Sequence, residues 1–244
     1  MQLNKKKVIL LILDGWGHSE DKQHNAILSA STPNWDMFNL NYPTNYLKCS
    51  GTDVGLPPEQ MGNSEVGHMH IGAGRLIEQD LTKINEVINS NQLDKNEILS
   101  NCFTQLKSTN ATLHLIGLCS NGGVHSHMSH LEALIDSAIK NGVENILIHA
   151  ILDGRDTKQK SAIEELPRLE EFLATRPAAK IATVQGRYYA MDRNEKWDRI
   201  KCAYDLIACS DTKLWYDNAV SALSEAYKRN ETDEFVAPSA ILII

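Results

Sequence analysis

No CxxC pair, no long apolar run and no excess of positive charge occur in this 244-residue chain. Its five cysteines, at positions 49, 102, 119, 202 and 209, leave one thiol over in any pairing. They read as reduced, which fits a cytoplasmic location better than an oxidising one and argues against a structural zinc site. The formal net charge of −7 argues against a general binder of nucleic acid or of anionic membrane. The apolar run Val8–Leu13 falls far short of the roughly 18 residues of a membrane span, and no small-residue cleavage site follows it as a signal peptide would require. Internal repeats and low-complexity tracts are also missing. The hydrophobic share of 42% and charged share of 23% belong to an ordinary globular protein, long enough for one large or two modest domains.

The residues present suggest an α/β fold. Val8–Leu13 is continuously apolar, the pattern of a parallel strand buried on both faces, and it delivers Asp14 at its carboxyl end, where open α/β sheets bind ligands. Thr32 and Pro33 read as the N-cap and first residue of a helix to about Leu40. A loop over Gly51–Pro58 follows. Leu81, Ile84, Val87 and Ile88 share one helical face, and a domain boundary is expected near Ile77. From Thr112 onward strands and helices alternate: strands Leu113–Leu118, Ile146–Ile151 and Lys180–Val184, helices at about Ser129–Lys140, Ser161–Ala174, Glu195–Ala208 and Asn218–Lys228. Such alternation predicts parallel strands joined by right-handed crossovers.

Two groupings carry chemistry. The first is Gly62-Asn63-Ser64-Glu65-Val66-Gly67-His68, in which Ser64 stands among small neighbours as an exposed nucleophile would. Asp14 can hold a divalent metal that acidifies the Ser64 hydroxyl. The competing reading makes Ser64 the N-cap of a helix over Glu65–Ile71. The second grouping comes from topology, because loops after successive parallel strands emerge on one side of the sheet. That places His125, His127, Arg155, Asp156, Arg187 and Arg193 on one rim. Arginine forks suit a phosphate or carboxylate, and several imply a dianion or two anions. Against this, Arg193 can be a surface ion pair with Asp192, and Asp153 and Asp156 can be partners of Arg155. His125, His127 and His130 invite a zinc reading, which the lack of an intervening carboxylate or cysteine disfavours.

Leu13-Asp14-Gly15-Trp16-Gly17, Gly62–His68 continuing through Ile71-Gly72-Ala73-Gly74-Arg75, Gly122–His127, Leu152–Thr157 and Gly186–Arg193 resemble, in order, the cofactor-independent phosphoglycerate mutases. The similarity runs over essentially the whole chain, although the family's chains extend well beyond this length. It implies residues 1–77 from a parallel-sheet, alkaline-phosphatase-like metal-binding domain, and residues 78–244 from an inserted α/β phosphotransferase domain, incomplete at its C-terminal end. It further implies interconversion of 3-phosphoglycerate and 2-phosphoglycerate through a phosphoserine on Ser64, without bisphosphoglycerate. Two manganese ions would assist, with magnesium, cobalt or zinc as substitutes. By the same resemblance Asp14 and Ser64 are metal ligands, and His125, Arg155, Asp156, Arg187 and Arg193 bind substrate, while Asp153 orders its loop. The implied partner is a small molecule rather than nucleic acid or membrane, and the complete enzyme is a monomer. The family's remaining metal ligands lie beyond these 244 residues, so this chain alone is expected to be inactive. Lys158-Gln159, where the family usually has prolines, and His70, where asparagine is common, depart from the pattern. Two other readings are a related metal-dependent phosphatase or phosphomutase and a non-catalytic fragment that binds phosphate esters.

Overall fold

Asn63, not Ser64, caps the helix that carries the candidate nucleophile. In the computed structural model, which describes residues 7–58 and 60–243, the Asn63 carboxamide oxygen accepts from the Val66 amide at 3.0 Å. Ser64 is therefore the first residue inside the helix, and the capping alternative for it falls. The first unit of the chain runs to Thr82. It contains α1 (Ala26–Ser29), α2 (Pro33–Asn41), α3 (Ser64–Ala73) and the start of α4 (Asp80–Asn89). Pro33 opens α2 as expected, since its missing N–H is one that no helix start can use. Gly74, at φ 64°, ends α3 in the left-handed conformation that glycine tolerates.

The expected strand Val8–Leu13 is not formed. Its residues lie between 42% and 91% exposed, and the first unit has no strand among the described residues. A strand needs a neighbour's N–H and C=O groups and a covering layer, and the described part of this unit offers neither. Its own apolar core is small, made by Val54, Leu56 and Val66.

The second unit, from Lys83, holds a five-stranded mixed sheet. In order come α5 (Glu97–Thr109), β1 (Leu113–Leu118), α6 (Met128–Lys140), β2 (Ile146–Leu152), α7 (Ala162–Ala174) and β3 (Ala179–Gly186). The short α8 (Arg187–Ala190), α9 (Trp197–Cys209), β4 (Trp215–Tyr216), α10 (Ala219–Lys228), a 3-10 turn over Asp233–Phe235 and β5 (Ser239–Ile241) complete it. The sheet order is β1-β2-β3-β5-β4, with β1, β2 and β3 parallel as the alternation predicts. β5 runs antiparallel to β3 and parallel to β4.

Side-chain period explains the core. Ile146, Ile148, Ala150 and Leu152 alternate along β2 onto one face, where they meet Phe103 of α5, Met128 and Ile135 of α6, Leu166 and Leu169 of α7 and Leu223 of α10. The register of β2 against β3 slips between Ile148 and His149, so that Ile148 pairs with Ile181 and His149 with Thr183. The extra residue, Ala182, reverses the alternation, so Val184 joins the core while Thr183 and Gln185 turn to the other face. There His149 Nδ1 meets Thr183 Oγ1 at 3.0 Å, and His149 Nε2 meets His114 Nδ1 at 2.9 Å. Burial, with the His114 charge second, lowers the His149 pKa to about 4.

Candidate functional site

In the second unit the loops after β1, β2 and β3 meet on Asp153, which is buried. Its Oδ1 accepts from the amides of Arg155 and Asp156, at 3.2 and 2.9 Å, and from Arg187 Nη1 at 2.7 Å. Its Oδ2 accepts from the Ser120 hydroxyl at 2.9 Å, and that hydroxyl accepts in turn from the Gly122 amide. One carboxylate thus ties together all three loops. Burial pushes the Asp153 carboxyl up, but the Asp156 amide, Arg187, Ser120 and the Arg155 amide outweigh it and hold it below the usual carboxylate range. Arg187 also donates through Nη1 to Asp156 Oδ2 at 2.6 Å. Its burial works against the charge, and Asp156 and then Asp153 overcome that and raise its pKa.

These loops enclose a cleft of about 560 Å³ whose walls include His125, Arg155, Asp156, Arg187 and Arg193. His127, the sixth residue expected on the rim, is not among them. Its Nδ1 instead accepts from the Ser129 amide and caps α6. His130 goes elsewhere too, with Nε2 at 2.7 Å from the Asn85 carboxamide oxygen. His125 Nε2 faces Asp156 Oδ2 at 3.7 Å.

The ion pairs differ from the expected ones. Neither Asp153 nor Asp156 pairs with Arg155, whose Nη1 lies 3.7 Å from Glu234 Oε1. Asp192 pairs not with Arg193 but with Arg199, at 3.0 Å. Asp192 Oδ2 also accepts from the amides of Asn194 and Lys196, which turns the loop that presents Arg193. The Lys196 amide leads in lowering the Asp192 pKa, against a burial penalty, with the Asn194 amide and Arg199 adding to it. Arg199 lies over the Tyr188 ring, 3.9 Å from its centroid, a cation–π contact. Arg193 is exposed and has no ion pair among the described residues. The cleft therefore presents one unpaired guanidinium, one loosely held and two already neutralised. Glu234 and Arg199 were not legible as site residues, since each arrives through tertiary packing and neither sits in a glycine-flanked motif, whereas Tyr188 lies within Gly186–Arg193 but carries no charge to single it out.

In the first unit the Ser64 hydroxyl donates to Asp14 Oδ2 at 2.7 Å, across 50 positions of sequence. His68 Nδ1 lies 3.2 Å from Ser64 Oγ and 2.8 Å from the Ser64 carbonyl oxygen. A carbonyl oxygen only accepts, so the Nδ1 proton belongs on that contact and His68 is not set to take the Ser64 proton. Asp14 is the group that accepts its hydrogen bond.

The model for the BPG-independent PGAM N-terminus matches residues 84–242. The chain belongs to the 2,3-bisphosphoglycerate-independent phosphoglycerate mutase family. A mutase of this name from Methanosarcina barkeri is 50% identical over 237 residues, covering 97% of this chain and 46% of its own. One from Methanococcoides burtonii is 48% identical over 99% of this chain and 47% of its own. A crystal structure of Leishmania mexicana phosphoglycerate mutase, described at low cobalt concentration, superposes with a TM-score of 0.84 at 31% identity, covering 95% of this chain and 44% of that one. The chain therefore spans about half the length of the relatives it matches, and corresponds to their N-terminal half. Its α/β class is that of the mutase.

The family implies a divalent metal, and Asp14 with Ser64 provides only two donor residues toward one. No group of three or more His, Cys, Asp or Glu able to hold a metal occurs among the described residues. A divalent ion takes four to six ligands or more, so these residues do not by themselves make a site that fits it.

Proposed function

We propose that this chain is the substrate-gripping and phosphoryl-accepting half of an enzyme that interconverts 3-phosphoglycerate and 2-phosphoglycerate. The cleft that gathers His125, Arg155, Asp156, Arg187 and Arg193 is the observation that supports this most. Both substrates carry a phosphate and a carboxylate, and guanidinium forks match either group with paired hydrogen bonds. Arg193 and Arg155 are the forks with charge to spare, and Arg187 retains Nη2 and Nε for a ligand because, among the described residues, its side-chain partners engage Nη1. The Asp156 carboxylate can accept from the glycerate hydroxyl, and His125 can donate to that hydroxyl or to an anionic oxygen.

Ser64 is the phosphoryl acceptor in this reading. Its proton points at Asp14, leaving the oxygen's lone pairs free to meet phosphorus. The bond from Ser64 Oγ to phosphorus forms as the bond from phosphorus to the glycerate 3-oxygen breaks. Return of the phosphoryl group to the 2-oxygen completes the isomerisation, and a retained glycerate keeps water from taking it.

Calorimetric titration of the 244-residue protein with 3-phosphoglycerate tests the cleft, and absence of any binding removes the assignment. The two-donor set at Asp14 and Ser64 favours a second reading for this chain alone, binding without turnover. A mutase assay with manganese separates the two. Isomerisation at an enzyme's pace removes the binding-only reading, whereas hydrolysis without isomerisation turns the assignment toward a phosphatase.

A further inference from the structure

Glu234 lies in the 3-10 turn at the far end of the second unit, yet it enters the cleft beside Arg155. Its backbone is closely packed there. A Cβ at Gly154 would stand 2.8 Å from the Glu234 amide nitrogen, and one at Gly186 would stand 2.2 Å from the Glu234 carbonyl oxygen. These glycines immediately precede Arg155 and Arg187, so the peptide of Glu234 is seated against both arginine-bearing loops at once. The Asp233 amide donates to the Gln159 carbonyl, and the Asp233 carboxylate accepts from the Ala162 amide at 2.9 Å, which anchors the turn from below. The Glu234 side chain is 21% exposed and the Arg155 side chain 61%.

At 3.7 Å the Arg155 to Glu234 contact is too long for a hydrogen bond. It holds charge near charge without fixing the guanidinium, unlike the contacts of Arg187 at 2.6 and 2.7 Å. Four guanidiniums, of Arg155, Arg187, Arg193 and Arg199, line the cleft, and four carboxylates, of Asp153, Asp156, Asp192 and Glu234, line it or tie its loops. The charges balance, and Glu234 is the carboxylate whose pairing is loose enough to be exchanged. We propose that Glu234 is a resident counter-ion that competes with the bound anion for Arg155 and so sets the affinity of the cleft. When a phosphate or carboxylate enters, Arg155 leaves Glu234 for the ligand, and the rigid backbone of Glu234 keeps its carboxylate in place to reclaim Arg155 on release. The inference rests on the reading of the cleft as an anion site, and on the mutase assignment only for which anion is natural.

The test is calorimetric titration of the 244-residue protein with inorganic phosphate and, separately, with 3-phosphoglycerate, comparing Glu234→Gln, Arg155→Ala and the double variant. Glu234→Gln is expected to tighten binding about threefold to fivefold, the scale of one partly exposed ion pair. In the Arg155→Ala background the same change is expected to do nothing. Weaker or unchanged binding in Glu234→Gln overturns the proposal, as does tightening of equal size without Arg155, which would be a general charge effect. Should Glu234→Gln fail to fold, Glu234→Asp keeps the charge but withdraws it from Arg155. Unchanged affinity in that variant contradicts the proposal as well. Phosphate binding that follows the expected pattern while 3-phosphoglycerate does not bind removes the mutase ligand and leaves the role of Glu234 standing. Failure of both anions to bind any variant overturns the proposal.

Discussion

Val8–Leu13 and Ile146–Leu152 are similar kinds of sequence, apolar runs followed by an aspartate and broken in the second only by His149, yet they meet opposite fates. The second run is a strand flanked by β1 and β3, with Ile146, Ile148, Ala150 and Leu152 all in the core. Its aspartate, Asp153, is buried and holds three loops together. The first run is exposed, and its aspartate, Asp14, is exposed with one long-range hydrogen bond to Ser64. An apolar run becomes a buried strand only when other segments supply ladder partners and a cover, and burial then decides what the following aspartate does. The first unit presents chemistry on little core. The second builds its chemistry on a five-stranded sheet with a sizeable core.

The most severe expected change sharpens this contrast through glycine. Gly186→Ala drives a Cβ into the Glu234 backbone, which cannot swing aside, and should cost the second unit about 3 kcal/mol in urea unfolding. A loss below about 1 kcal/mol would show that the turn over Asp233–Phe235 yields easily. Next is Arg187→Ala, which strips one partner from the buried Asp153 and should cost about 2–3 kcal/mol, measured the same way. Its counterpart Arg193→Ala should leave stability within about 0.5 kcal/mol, because Arg193 has no ion pair among the described residues to lose.

His149 gives the second unit a pH dependence that the first has no buried histidine to match. Its folded pKa of about 4 lies below the ordinary histidine value, so between roughly pH 6.5 and 4 the unfolded chain binds a proton that the folded chain does not. The second unit should therefore lose stability as pH falls through that window, by up to about 3 kcal/mol, and His149→Gln should flatten the loss. An unchanged slope in the variant would place the titration elsewhere. A small gain, rather than a loss, belongs to the first unit. Gly67 sits inside α3 with nothing within 4 Å of a Cβ, so Gly67→Ala should gain roughly 0.5–1 kcal/mol of local helix stability, read by amide exchange in α3.

The second unit was largely legible in the sequence. The alternation of apolar strands and amphipathic helices places Leu113–Leu118 as observed and finds β2, β3, α6, α7, α9 and α10 to within a few residues. The two-residue β4 and three-residue β5 are too short to show a period, and β5 is fixed by pairing with β3. Val8–Leu13 misleads because its pattern describes a preference for burial, while burial itself depends on partners. At the cleft, the residues in glycine-flanked motifs were legible and their pairings were not. Arg193 and Asp192 are neighbours in sequence, yet Asp192 turns inward to Arg199. Glu234 is set by the close approach of Gly154 and Gly186, which only the folded chain reveals.

The most direct measurement is a titration of the isotope-labelled 244-residue protein with 3-phosphoglycerate, followed by amide chemical shifts and repeated with Arg193→Ala. The assignment of the cleft predicts saturable shifts at His125, Arg155, Asp156 and Arg187–Asn194, with affinity weakened by about 1.5–3 kcal/mol in the variant. Shifts confined to other surfaces, or an affinity that Arg193→Ala leaves unchanged, would contradict it.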